Sequence, residues 1–336
     1  MTPSDSLPCV LAADVGGSKT LLRLAALDDG RPARTLNEAR FDSRAWPSLT
    51  AMIQHFLAGW PRPYAACLAV AAPVESRRLE LTNLALTVDA DEIETACGLP
   101  QVILINDFVA VGHGIEALKP SDLLTLQAGQ EKPHAPRAVL GAGTGLGEAI
   151  LVWAGDHYQV LPSEGGHVDF APTDEEQIGL LRFLMARHGH VSYERILSGA
   201  GLVAVFEYLA DRWPVSPGLR KAVAEAGAAA VSRAALDDGD AVANQALELF
   251  LRIYGAQAGN LALTAWAAGG VYLAGGIAPR LAQRFALSGF LAAFRAKGRY
   301  RDALARFPVH LVLRPDVGVM GALQVAARAV SRPSST

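Results

Sequence analysis

Two stretches of this chain join one apolar run to another through a glycine-rich turn. Leu7 to Ala13 leads through Asp14-Val-Gly-Gly-Ser-Lys-Thr20 into Leu21 to Leu27. About 130 residues later, Ala138 to Gly141 leads through Gly141-Ala-Gly-Thr-Gly-Leu-Gly147 into Glu148 to Trp153. Each stretch predicts two strands joined as a hairpin. The repetition points to two related α/β halves facing each other across a cleft. A chain of 336 residues has room for two such domains, each with its own core.

The rest of the pattern agrees. Ala65 to Ala72 and Val102 to Ile105 predict buried strands, with helices from about Ser48 to Trp60 and Asp89 to Cys97 between them. Alternating strands and helices imply an α/β sheet covered by helices. Asp89 is placed to cap the second of those helices, with Glu92 completing a capping box. Gln127 to Pro136 is polar and contains proline, a loop or linker. From about Asp174 to Trp266 the chain reads as mostly helical, with a break at Trp213 to Gly218. The apolar helix from about Ala241 to Trp266 is expected in the core. Val271 to Ala274 and Val309 to Leu313 predict two more strands, and a closing helix runs from about Gly318 to Val330.

Composition narrows the function. The net charge is −3 and no Lys/Arg run is present, which argues against a nucleic-acid partner. No apolar run reaches membrane-spanning length. The nearest, Leu261 to Gly276, is interrupted by Gly269-Gly270 and Gly275-Gly276. No positive flank precedes the first apolar stretch, so no signal peptide is expected. The three cysteines, Cys9, Cys67 and Cys97, show no CxxC spacing, which suits neither a disulfide framework nor a zinc site. A reducing cytoplasm is the expected location.

Six segments have the makings of a site. Asp14-Val-Gly-Gly-Ser18 puts a carboxylate at a strand end, followed by backbone N–H groups that can cup an anion. Asp14 can hold Mg²⁺ through water, although the same residues also make a plain hairpin. Gly141-Ala-Gly-Thr-Gly-Leu-Gly147 lets the backbone approach a phosphate without Cβ obstruction. It is neither the dinucleotide fingerprint, since Leu146 stands where a glycine is needed, nor a P-loop. A structural glycine turn is the alternative. Asn106-Asp107 follows a buried strand, where open α/β sheets bind ligands. One of the pair suffices as a helix cap, which leaves the other for a second task. Glu164 and His167 flank two glycines and can turn toward one polar ligand, and Glu194 adds a further acid, though an isolated Glu is more often a surface residue. Ala274-Gly-Gly-Ile277 closes a strand with glycines suited to the flat face of an adenine, or simply to a tight turn.

Taken together, DVGGSK, INDFVAVGHGI, GAGTGLGEAIL, SEGGHVDFAP, YERILSGAGL and VYLAGGIAPR, in that order from residue 11 to 280, resemble the bacterial glucokinase family. The resemblance implies a two-domain α/β fold of the actin/hexokinase-like (ribonuclease H-like) kind with a sugar cleft between the domains. Residues 1–117, with a returning helix at about 314–332, would form the smaller domain and 118–313 the larger. It further implies glucose and MgATP as substrates, transfer of the γ-phosphate to the 6-hydroxyl, and a homodimer. Asp107 matches the catalytic base, and Asn106, Asp107, Glu164, His167 and Glu194 match the sugar contacts. Asp14, Gly16, Gly17 and Ser18 match the first phosphate element, with Asp14 toward Mg²⁺. Gly141, Gly143, Thr144 and Gly145 match the second, and Gly275 and Gly276 the adenosine element. Ser18 replaces the family's usual Thr and keeps the hydroxyl, and the region around Asn83 is compatible with the family's sugar site. Relatives with a cysteine-rich zinc motif are disfavoured, because no Cys follows Cys97, and no helix-turn-helix precedes Leu7 to suggest a repressor. A hexokinase of broader specificity, a sugar sensor without turnover and an actin-type ATPase are the alternatives. The two phosphate turns with Asp107 argue against the sensor, and Glu164, His167 and Glu194 argue against the ATPase.

Overall fold

The computed structural model describes residues 8–81 and 86–331. The chain divides into two compact units, the first made of Met1–Lys119, Tyr158–Pro162 and Asp316–Thr336, the second of Pro120–His157 and Ser163–Pro315.

In the first unit, β1 (Cys9–Val15), β2 (Lys19–Asp28), β3 (Arg31–Asp42), β4 (Ala65–Val70) and β7 (Val102–Asn106) form one sheet in the order β3-β2-β1-β4-β7. β5 (Arg78–Leu81) and β6 (Leu86–Asp89) make a separate antiparallel pair. β1 runs antiparallel to β2 and parallel to β4, and β4 runs parallel to β7. Both faces of β1 are apolar because both are covered. Leu11, Ala13 and Val15 pack toward α1 (Leu49–Leu57) and α2 (Ala90–Cys97) through Met52, Ile53, Phe56 and Ile93. Val10 and Ala12, pointing the other way, meet α3 (Asp107–Ile115) and α12 (Val317–Ser331) through Ala110, Val319, Ala322 and Ala326.

Ser48 caps α1 by accepting from the Ala51 N–H at 3.1 Å. Asp89 caps α2, accepting from the N–H groups of Asp91 and Glu92 at 3.0 and 3.1 Å. The reciprocal half of the expected capping box is not made. The Glu92 carboxylate instead accepts from the Thr50 hydroxyl at 2.8 Å, tying α2 to α1. The α3–α12 crossing is close enough to exclude side chains. A Cβ on Gly321 would fall on the Ala110 carbonyl oxygen, and one on Gly114 on the Val317 carbonyl oxygen.

The second unit repeats the pairing pattern. β8 (Leu123–Gln127), β9 (Arg137–Ala142), β10 (Leu146–Trp153), β12 (Val271–Ala274) and β13 (Val309–Val312) lie in the order β10-β9-β12-β13-β8. β9 is antiparallel to β10 and parallel to β12, and β12 is parallel to β13. β10-β9-β12-β13 thus has the same sense of pairing as β2-β1-β4-β7, the structural counterpart of the repeated strand-turn-strand. β11 (Tyr158–Ser163) follows β10 in the chain.

The helices of this unit are α4 (Glu175–His188), α5 (Gly199–Ala210), α6 (Pro217–Ala226), α7 (Ala228–Leu236) and α8 (Ala241–Ala265), with the short α9 (Ala282–Phe285), α10 (Phe290–Arg295) and α11 (Arg301–Leu304). α8 is buried along most of its length, and its Phe250 and Tyr254 join Phe285 and Phe290 in an aromatic cluster. Among the described residues, no helix is long and apolar enough to cross a membrane.

Candidate active site

In the first unit the parallel strands deliver their residues to one edge. Register aligns Val15 with Val70 and Val70 with Asn106, so the ends of β1 and β7 stand two strands, about 10 Å, apart. Asp14 and the Asn106-Asp107 pair therefore lie at the carboxyl ends of two parallel strands on either side of β4, where open α/β sheets place ligands. Asp14 is half-buried, and burial raises its carboxyl above the usual range. The turn that follows it is closed by the Gly16 N–H donating to the Lys19 carbonyl at 3.0 Å. Ser43 pins it, donating its hydroxyl to the Gly16 carbonyl at 3.0 Å and its N–H to the Ser18 carbonyl at 3.1 Å. Ser18 is exposed at the tip, with Gly17 half-buried beside it.

Asn106 and Asp107 divide their tasks. The Asn106 side-chain oxygen accepts from the N–H groups of Phe108 and Val109 at 2.8 and 3.2 Å, making Asn106 the cap of α3. Asp107 is the first helical residue, half-buried, and one of its oxygens also accepts from the Phe108 N–H at 2.9 Å. Asn83 lies outside the described residues.

In the second unit, the glycine-rich turn from Gly141 to Gly147 is held from below and from both sides. The Tyr254 hydroxyl on α8 accepts from the Ala142 N–H at 3.2 Å. Gly143 accepts from the Gly199 N–H at 2.9 Å and donates to the Gly145 carbonyl at 2.8 Å, leaving Thr144 exposed at the apex. Gly275 sits against the same strand end with φ +82°, and a Cβ there would stand 2.6 Å from the Ala142 carbonyl oxygen. Glycine is required at 275 for both reasons. Gly276 beyond it faces open space. The second phosphate element and the adenosine element expected from the sequence are thus neighbours.

Two short 3-10 turns bring the acids and the imidazole to the same place. Glu164 precedes the turn Gly165–His167, and Glu194 lies within the turn Tyr193–Arg195. Glu194 is docked on the glycine-rich loop. Its carboxylate fills the space where a Cβ of Gly145 would be and accepts from the Leu146 N–H at 2.9 Å. The Nε2 of His167 lies 3.9 Å from a Glu164 oxygen and 3.9 Å from a Glu194 oxygen. Glu164 and His167 side chains are about 60% exposed and Glu194 31%, so the group opens to solvent on a partly buried base. Carboxylates and an imidazole arranged this way can accept from and donate to several hydroxyls of one ligand. Among the described residues no set of three or more His, Cys, Asp or Glu is placed to hold a metal.

One residue of this neighbourhood escapes sequence reasoning. Glu148, on β10 just past the glycine-rich turn, is only 2% exposed. One of its oxygens accepts from the Gln257 amide at 2.8 Å, and burial pushes the carboxyl up from the usual 4.5 to about 7. The available signal was a lone acid on an apolar strand, at an inward-facing position shared with Leu146. Because the folded value lies above the unfolded one, the associated stability is fully present below pH 4.5 and is lost as pH rises through about 7. The shift corresponds to about 3 kcal/mol. Glu148→Gln should therefore leave the melting temperature near that of the parent at pH 5 and raise it at pH 8. A difference that stays flat between those pH values in calorimetry contradicts this.

The comparisons with known proteins agree with the motifs. The family model described as Glucokinase matches residues 11–329. A protein named glucokinase from Nostoc punctiforme is 42% identical over 338 residues, covering 95% of this chain and 99% of that protein. The crystal structure of a glucokinase from an Antarctic psychrotroph superposes with a TM-score of 0.84 at 31% identity, covering 96% of this chain and all of that one. A ROK-family glucokinase from Streptomyces griseus, solved with glucose and AMPPNP, shares the fold at a TM-score of 0.64, with 20% identity over 95% of this chain and 99% of that one. With the family model spanning both sets of motifs and a near full-length relative at this identity, the chain belongs to the glucokinase family.

Proposed function

We propose that this protein transfers the γ-phosphate of MgATP to the 6-hydroxyl of glucose, releasing glucose 6-phosphate and ADP. The observation that carries this reading is the group of Glu164, His167 and Glu194, built directly onto the glycine-rich turn by the Glu194–Leu146 hydrogen bond. A set of hydroxyl-reading groups is thereby fixed to a turn suited to phosphate, and a sugar kinase needs both. Family membership and the names of the relatives support the same reaction.

The roles proposed are those that the family resemblance implies. Glu164, His167 and Glu194 bind the sugar hydroxyls, joined by the amide of Asn106, whose oxygen is already engaged in capping α3. Asp107 takes the proton of the attacking 6-hydroxyl. The turns at Gly16 to Ser18 and Gly141 to Gly145 offer N–H groups to the phosphates, and Gly275-Gly276 receives the adenine. Asp14 fits Mg²⁺. It is a single half-buried carboxylate beside a phosphate turn, and Mg²⁺ commonly takes one or two carboxylates and completes its shell with waters and phosphate oxygens. Bound there with ATP, the ion would offset phosphate charge. Closure of two domains, 1–117 with about 314–332 and 118–313, over the bound sugar would keep water from competing as acceptor. A cytoplasmic homodimer is the assembly this reading expects.

Separate replacement of Glu164 by Gln and His167 by Ala should each raise the KM for glucose at least tenfold, with kcat changed much less. Steady-state kinetics with coupled detection of glucose 6-phosphate measures this directly. An unchanged KM in both variants removes the group from the sugar site.

A further inference from the structure

The two turns that carry Glu164, His167 and Glu194 are joined underneath by a buried chain of polar side chains. It starts at Glu148, one of whose oxygens accepts from the Gln257 amide at 2.8 Å. The Gln257 side-chain oxygen accepts from the Asn260 amide at 3.1 Å, and the same amide donates to the Tyr193 hydroxyl at 3.0 Å. Lys297 secures the far end, donating to the Asn260 oxygen at 2.6 Å. Gln257 and Tyr193 are nearly inaccessible, as is Glu148.

Each end of this chain abuts one of the sugar turns. At one end the second Glu148 oxygen occupies the place where a Cβ of Gly165 would stand, so the acid lies directly under the residue that follows Glu164. At the other end Tyr193 immediately precedes Glu194. The neighbouring Gly166 is likewise pressed on β10, since a Cβ there would fall on the Leu146 carbonyl. A buried carboxyl costs stability that an apolar residue of similar volume would not. Glu148, Gln257 and Tyr193 are buried and Asn260 is half-buried.

We infer that Glu148, Gln257, Asn260 and Tyr193 are positioning residues that hold the Glu164–His167 turn and the Glu194 turn at a fixed separation, and so set the affinity for the sugar. The inference rests on the reading of Glu164, His167 and Glu194 as sugar ligands. Its consequence is selective. Slack in the brace lets the two turns drift apart and weakens glucose binding, whereas the glycine-rich turn keeps its own support from Tyr254 and Gly199. Gly165→Ala forces a methyl into the Glu148 carboxyl, and shortening residue 148 makes room for it.

The test is a comparison of kcat, glucose KM and ATP KM for the parent, Glu148→Ala, Tyr193→Phe, Gly165→Ala and the Gly165→Ala/Glu148→Ala double variant, with Glu164→Gln measured alongside. Glu148→Ala should raise glucose KM about tenfold and Tyr193→Phe about threefold, with kcat and ATP KM within about twofold of the parent. The double variant should have a lower glucose KM than Gly165→Ala alone, a rescue that general loosening of the fold would not produce. Tyr193→Phe removes one hydroxyl and keeps the ring, so it decides the matter if the Glu148 variants fold poorly. Glucose KM within twofold of the parent in Tyr193→Phe and in any Glu148 variant that folds, while Glu164→Gln raises it, overturns the brace and leaves the sugar site standing. An unchanged glucose KM in Glu164→Gln overturns the sugar reading itself, and the brace with it.

Discussion

Asp107→Asn should lower kcat by roughly two to four orders of magnitude while leaving glucose affinity within a few fold. The substitution keeps the size of the side chain and removes its charge and its capacity to take a proton. It also spares the helix. The cap of α3 is the Asn106 oxygen, with bonds to Phe108 and Val109 at 2.8 and 3.2 Å, so the carboxylate at 107 is not needed to start the helix. Phosphoryl transfer asks little covalent chemistry of the protein, so loss of the base should appear in kcat alone. Rapid-quench turnover together with calorimetric titration of glucose separates the two quantities. Near-normal turnover in Asp107→Asn would assign the base elsewhere, and lost affinity with normal kcat would make Asp107 a sugar ligand only.

Gly321→Val should destabilise the first unit by at least about 3 kcal/mol. The cause is a backbone collision rather than a lost contact. A Cβ at 321 would fall on the Ala110 carbonyl of α3, and neither helix can retreat, because each is packed on the sheet by Ala110, Val319, Ala322 and Ala326. The added branch also enlarges the collision beyond the first carbon. Asp107 begins the same α3, so any protein that still folds should have this proposed base displaced and turn over more slowly. Gly218→Ala is the matched comparison. It lies in α6 with nothing within 4 Å of its would-be Cβ, and the change there should be neutral or stabilising by up to about 1 kcal/mol. Urea titration of both variants checks the contrast, and equal midpoints would contradict it.

What the sequence made legible follows from where the signal is local. The strands β1, β7, β9 and β12 are apolar runs ended by glycines or a polar pair, and β4 is an apolar run that stops short of Pro73; buried parallel strands announce themselves that way. β3 is different. Arg31 to Asp42 is mostly polar because it forms the sheet's edge, where most of its residues reach solvent and no apolar alternation is needed. The glycine turns and the Glu164-Gly-Gly-His167 segment hold their candidate groups within a few residues, which is why they could be singled out from sequence. Glu194 was harder, since an acid beside Arg195 reads as surface until Gly145, about 50 residues away, is seen to leave room for its carboxylate. The brace is more distant still. Glu148 and Gln257 meet across 109 positions, and neither shows in sequence that it has a partner. The expected capping box failed for a similar reason, since Thr50 on another helix drew Glu92 away.

The most direct test of the central claim is coupled detection of hexose 6-phosphate from the purified protein, MgATP and a panel of glucose, mannose, fructose and glucosamine. The account predicts rapid formation of glucose 6-phosphate with stoichiometric ADP, and kcat/KM for glucose well above that for the other sugars. No sugar phosphate from any member of the panel, with glucose still bound in calorimetry or ATP still hydrolysed without sugar, would contradict it.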